Sequence, residues 1–247
     1  MNSAIRKIIV GCVIVAIGAV AGPWAYINVV KKDAPDLLTL EPSATTTLET
    51  STSTVVESSS TTIAEISSTT VAAPRNLDGV WSVAGESIVG YRVKEIIVGQ
   101  STEGVGRTSV VTGSLKISGQ EVTEAQFTVD MTTLKSDSSR RDSQVNGRIL
   151  DTTAFPTATF VLTKPIKLTA ASFAGEDLAI KTTGSLTLRG VKKDVNVALV
   201  ARLVDDFIKV NGSIELVFAD WSIPDPSIAA IVVEDRGLLE FLIRFSR

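Results

Sequence analysis

The sequence predicts an all-β domain of about eight antiparallel strands closed into a barrel, preceded by one transmembrane helix and a disordered linker. Three observations predict it. Apolar and polar residues alternate at period two through most of residues 76–247, the pattern of half-buried strands. Residues 8–30 form a run of 23 positions without a charge. Between these parts, Ser and Thr fill 19 of the 32 positions from Thr39 to Thr70.

Residues 1–32 read as a signal anchor. A helix of 23 residues is roughly 35 Å long, enough to cross the hydrocarbon core. Arg6 and Lys7 precede it, Lys31 and Lys32 follow it, and Trp24 and Tyr26 stand near its far end as interfacial anchors. Ala19-Val20-Ala21 has the form of a signal-peptidase site. Pro23 just beyond it, and apolar sequence continuing to Val30, favour retention of the helix over cleavage.

Residues 33–75 read as an acidic Ser/Thr-rich stalk. From Asp33 to Pro74 there are six acids and no base, and such a stretch buries too little apolar surface to offset its ordering entropy. As a flexible chain it spans about 35–40 Å. Its composition is also that of an O-glycosylated spacer. Anchor and stalk together imply an extracytoplasmic, envelope-located barrel domain, secreted if the signal is cleaved.

Residues 76–247 carry 19 basic and 21 acidic side chains and neither His nor Cys. Strands are expected near residues 80–83, 88–98, 108–117, 122–134, 158–163, 178–188, 194–204 and 207–218, with a closing strand at 238–245. Ser118-Gly119, Arg189-Gly190 and Asp205-Asp206 supply turns between them. Short connections make an antiparallel meander, and eight tilted strands close into a barrel that either fills with side chains or holds one small ligand. One helix is expected, from Ser138 to Leu150, capped by Ser138 or Ser139 and lying as a lid over one end.

Composition excludes much chemistry. With no His in 247 residues, imidazole acid–base catalysis, Ser-His-Asp and Cys-His nucleophiles and His-ligated metals are closed. No G-x-S-x-G, phosphate-cradling loop or G-x-G-x-x-G occurs; Gly104-Val105-Gly106-Arg107 lacks the third glycine. A net charge of −3 and a pI near 5.2 give no electrostatic reason to bind nucleic acid. The adjacent acids Asp205-Asp206 and Glu234-Asp235 read as turn chemistry, and Asn211-Gly212-Ser213 matches a glycosylation sequon but, inside a hairpin, reads as a turn or bulge. No enzyme activity, cofactor or metal is therefore expected. Arg140-Arg141-Asp142 on the lid helix has two readings: a head-group contact, or an Arg–Asp pair tying the lid to the barrel rim.

At this level the domain resembles the YceI-like family of polyisoprenoid-binding, lipocalin-like barrels. The resemblance runs over about residues 78–247. It rests on Gly79-Val80-Trp81-Ser82-Val83, Val89-Gly90-Tyr91, Phe127-Thr128-Val129-Asp130-Met131 and Ser139-Arg140-Arg141-Asp142. Further on it rests on Phe155-Pro156-Thr157-Ala158-Thr159-Phe160, Gly184-Ser185-Leu186-Thr187-Leu188-Arg189-Gly190-Val191 and Phe218-Ala219-Asp220-Trp221-Ser222-Ile223-Pro224. It implies an extended eight-stranded antiparallel barrel whose apolar tunnel holds a polyisoprenoid chain in a periplasmic or secreted protein. Many members carry a His on the first long strand, where this sequence has Tyr91-Arg92-Val93-Lys94-Glu95. Arg141, Asp142, Phe155, Pro156, Gly184, Leu186, Gly190 and Asp220 are motif positions, most with a structural role.

The alternation itself nominates the tunnel lining: Phe127, Val129 and Met131; Phe160 and Leu162; Leu186 and Leu188; Ile214, Leu216 and Phe218; Phe241 and Ile243. A one-residue slip in any strand would turn its whole set outward. Arg140 and Arg141 are the candidate head-group contacts. The expected function is a membrane-tethered extracytoplasmic protein that sequesters, carries or senses an isoprenoid or other long-chain apolar lipid, such as a prenyl phosphate or a quinone. The alternative is a non-catalytic envelope module with a side-chain-filled barrel, because alternation alone does not distinguish hollow from filled.

Overall fold

Thirteen strands hydrogen-bond into one sheet among the described residues, 34–41 and 75–247, of a computed structural model. The expected membrane helix, residues 1–32, and most of the expected stalk lie outside the described residues. In chain order the elements are β1 (Gly79–Val83), β2 (Ile88–Ile97), β3 (Gln100–Thr108), β4 (Val111–Ser118), β5 (Glu121–Asp130), β6 (Lys135–Ser136) and α1 (Ser139–Gln144). There follow β7 (Thr157–Leu162), β8 (Ile166–Lys167), α2 (Ala170–Ala174), β9 (Leu178–Leu188), β10 (Val191–Val204), β11 (Phe207–Val217), β12 (Ile231–Val233) and β13 (Arg236–Ser246).

Several of these are pieces of longer strands. β1 and β2 both pair with β13, and β3 and β4 continue one another, pairing with β2 and then with β1. Counted this way, eight antiparallel strands run β1/β2, β3/β4, β5/β6, β7, β9, β10, β11, β13, and β13 returns to β1 to close the barrel. Closure leaves the long strands no exposed edge. The β4–β5 and β10–β11 turns and α2 lie at one end, here the first end. The β2–β3 and β9–β10 hairpins, α1 and β12 lie at the second.

The short strands β6, β8 and β12 were not expected, and the strand expected to reach Leu134 ends at Asp130, where the Asp130 side chain caps a 3-10 turn over Met131–Thr133; two further differences are larger. β3 lies where no strand is expected between residues 98 and 108, because Gln100-Ser-Thr-Glu-Gly carries no alternating apolar set; ladder bonds to β2 along nine residues hold it. α2 was not anticipated, since five residues are too few for a periodic signal. The lid helix begins where expected, with the Ser138 hydroxyl accepting from the Arg141 amide at 3.4 Å, and after Gln144 it widens into a π-helical turn over Val145–Ile149. Asp142 Oδ1 accepts from the Ser136 amide at 2.8 Å and the Ser136 hydroxyl at 2.7 Å, which fastens α1 to β6.

Trp81, Phe245 and Glu240 are the most deeply buried side chains. The first two close the seam between β1 and β13: Trp81 Nε1 donates to the Leu77 carbonyl at 2.8 Å, and Arg247 lies over the indole at 4.4 Å. Glu240 is different, because its strand position faces outward. Its carboxylate binds Arg92 Nε at 3.3 Å and Arg107 Nε at 2.8 Å, and Arg92 also bridges Glu103. Gly90 stands between Arg107 and Glu240 in the strand ladder. A Cβ there would lie 2.7 Å from Arg107 Cγ, so only glycine lets Arg107 cross β2 to reach the acid.

What covers this ion cluster is residues 34–41, which fall within the segment expected to be a stalk. Arg92 donates to the Pro35 carbonyl at 2.5 Å, Arg107 to the Asp36 carbonyl, Asn211 to the Leu38 carbonyl at 3.1 Å and Arg202 to the Glu41 carbonyl at 2.6 Å. The segment thus crosses the outer face from β2 and β3 to β10.

Candidate functional site

The barrel interior holds two cavities. The first, of about 160 Å³, lies toward the first end. Its wall is almost wholly apolar and includes Phe127, Val129, Phe160, Leu162, Leu186, Ile214, Phe241 and Ile243. The second, of about 310 Å³, lies under α1 and is lined in part by Val129, Met131, Leu188, Leu216 and Phe218. Val89, Val129, Ala158 and Leu239 border both, so the cavities abut along the barrel axis. All twelve side chains nominated from the alternation therefore face the interior. Bulges are the usual source of a phase slip, and the irregularity in the β4–β5 pairing falls at Lys116/Ile117, clear of the Phe127–Met131 set.

Sequence reasoning missed lining residues on strands it did not use. Val89, Leu115, Val197, Leu199 and Leu203 border the first cavity and lie in alternating runs of β2, β4 and β10; the same signal was present there. Phe127 is central, stacking on Phe160 at 6.2 Å between centroids and tilting against Phe245 at 5.7 Å. Gly184 makes room for this layer, since a Cβ on it would sit 2.1 Å from the Phe160 ring. Gly184→Ala is expected to displace that ring and cost about 1–3 kcal/mol, as overpacking does; urea unfolding with an unchanged m-value checks it.

The second cavity has a polar mouth. Arg141, from α1, binds Glu95 of β2 at 2.8 Å and also Asp137. Burial opposes the charge on Arg141, yet these two carboxylates hold its guanidinium above its ordinary pKa. Tyr91 lines the same mouth, and burial pushes its phenol well above the usual value despite the lowering by Arg141. Arg140 also borders the cavity and is exposed. Arg141 thus ties the lid to the barrel wall, with Glu95 as its principal partner rather than the neighbouring Asp142.

The remaining motif positions hold the second end together. Phe155 lies under Arg189 at 5.9 Å and touches the turn at Gly190, where φ is +74°. The Pro156 carbonyl accepts from the Met131 amide at 2.8 Å, and Lys193 pairs with Asp220 at 2.9 Å on the surface.

Chemically this arrangement can enclose an apolar chain. The two cavities together fall within the roughly 300–1,000 Å³ of ordinary ligand sites. At about 25 cal/mol per Å² of apolar area, a chain burying some hundreds of Å² gains several kcal/mol without a hydrogen bond.

Comparison with known proteins agrees with the architecture. A family model described as YceI-like domain matches residues 81–245. Among solved structures, a polyisoprenoid binding domain from Saccharophagus degradans, implicated in plant cell wall breakdown, superposes with a TM-score of 0.53 at 19% identity, covering 68% of this chain and 97% of that one. BcnA from Burkholderia cenocepacia superposes with a TM-score of 0.53 at 18% identity, covering 66% and 98%. No curated protein matches the sequence.

Proposed function

The chain belongs to the YceI-like domain family, and on that premise we propose that it is an extracytoplasmic, membrane-tethered binding protein that sequesters, carries or senses an isoprenoid lipid. The observation that carries this reading is the abutting pair of cavities, with an apolar wall at one end and a polar mouth at the other. The tail occupies the first cavity and the head group lies under α1. The polyisoprenoid-binding description of the Saccharophagus domain supports the same class of ligand. The protein works by binding, without a catalytic step, and the uncharged span at residues 8–30 holds it at the membrane.

The mouth favours a neutral head group. Arg140 and Arg141 face Glu95 and Asp137, so the charges at the opening cancel, and a phosphate would compete with two carboxylates for Arg141. A quinone or alcohol is therefore expected to bind more tightly than a prenyl phosphate of equal chain length. Displacement of a bound fluorescent fatty acid by each ligand tests the function and the preference together. The preference should reverse by about tenfold, roughly 1.4 kcal/mol, in a Glu95→Gln, Asp137→Asn double variant. Failure of every isoprenoid to displace the probe contradicts the function; a phosphate preference in the unmodified chain contradicts only the head-group assignment.

A further inference from the structure

Residues 34–41 and Arg75 are the two described borders of the Ser/Thr-rich stretch, and they meet the barrel at the same place. Glu41 accepts from Arg202 near the end of β10, and Arg75 donates to the Asp205 carbonyl in the β10–β11 turn at 2.5 Å. Residues 41 and 75 therefore both meet the barrel at its first end, at Arg202 of β10 and at Asp205 in the turn that follows. A spacer would have one end on the barrel and the other at the membrane. Here the residue next to the expected span is already next to the barrel, because only Asp33 separates Lys32 from Ala34.

We propose that residues 34–41 are a fastening strap on the barrel, so that the reach of the tether is set by the residues before the strap and residues 42–74 add nothing to it. The membrane half of this inference rests on the anchor proposed above; the docking half does not. The strap makes contact through carbonyls at four of its eight residues, and the donors Arg92, Arg107, Asn211 and Arg202 come from four strands. It covers a face that could not stand uncovered without cost, since Arg92 and Glu240 are 6% and 1% exposed. Leu38 and Leu40 are half-buried while Leu37 is 54% exposed, the alternation of an extended chain lying on a surface. Asn211, the residue of the glycosylation sequon, is occupied by the strap. A free 42-residue stalk spans about 35–40 Å, whereas one linking residue spans about 3.5 Å.

Two measurements on the full-length chain test this. With Cys12→Ser in the background and spin labels on Thr39→Cys and Val161→Cys, the docked strap gives one narrow distance distribution, which broadens in an Arg202→Ala, Asn211→Ala variant whose unfolding midpoint is little changed. A broad distribution in the parent overturns the docking. Second, the chain is reconstituted in phosphatidylcholine–phosphatidylglycerol vesicles and the height of a fluorophore at position 161 is read by energy transfer to a headgroup dye. Deleting ten residues between 45 and 70 leaves that height unchanged if the strap holds, and lowers it if the stretch is a spacer. A chain that does not associate with vesicles overturns the anchor, and with it the membrane half, while the spin-label result still decides the strap.

Discussion

Replacing Glu240 by alanine is expected to destabilise the barrel by about 3–5 kcal/mol, the usual cost of leaving buried charges without their partner. Glu240 is 1% exposed and takes both Arg92 and Arg107. Without it, two guanidiniums remain on the outer face beneath the strap, one of them, Arg92, itself 6% exposed. For a domain of this size the fall in midpoint should be on the order of 10 °C. Glu240→Gln keeps an acceptor and the shape and should lose less. The contrast is with Lys116–Glu124, both exposed, where breaking the pair should cost under about 1 kcal/mol. Calorimetry on the three variants checks the order; a Glu240→Ala midpoint within a degree or two of the parent would mean that the cluster is not buried.

The second large effect is on ligand capacity. Ala158 is buried and borders both cavities, so Ala158→Trp places an indole where they meet. Long isoprenoids are expected to lose at least tenfold in affinity, about 1.4 kcal/mol, because chain that occupied the far cavity no longer reaches it. A ligand short enough for one cavity should lose much less. The substitution will also cost stability, about 1–3 kcal/mol by overpacking, so a titration by chain length separates blockage from unfolding. Equal losses for short and long ligands would count against a site that spans both cavities.

Much of this molecule was legible from residue order. Alternation in Phe127–Met131, Phe160–Leu162 and Leu239–Ile243 fixed which face of each strand turns inward, because the side-chain period of a strand is two and one face was consistently apolar. The Ser138 cap and the turn at Arg189-Gly190 placed the lid and a hairpin through local chemistry. What was not legible depends on partners far away in sequence. Glu240 alternates with apolar neighbours as an ordinary solvated acid would, and it is buried only because Gly90 lets Arg107 across and because residues 34–41 cover the result. β3 has no apolar stripe, so nothing in its own residues announces a strand; β2 supplies the pattern. Residues 34–41 differ from the Ser/Thr-rich stretch that follows in carrying three Leu and a single Thr, but nothing in them names the four donors, spread from Arg92 to Asn211, that hold them.

The most direct test of the central claim is native mass spectrometry of residues 34–247 purified from the source cell, followed by exposure of the lipid-free protein to an isoprenoid quinone. The account predicts a one-to-one complex, either carried through purification or formed on exposure, which Ala158→Trp prevents for long chains. Protein that arrives empty and takes up no isoprenoid, with the barrel folded, would contradict it.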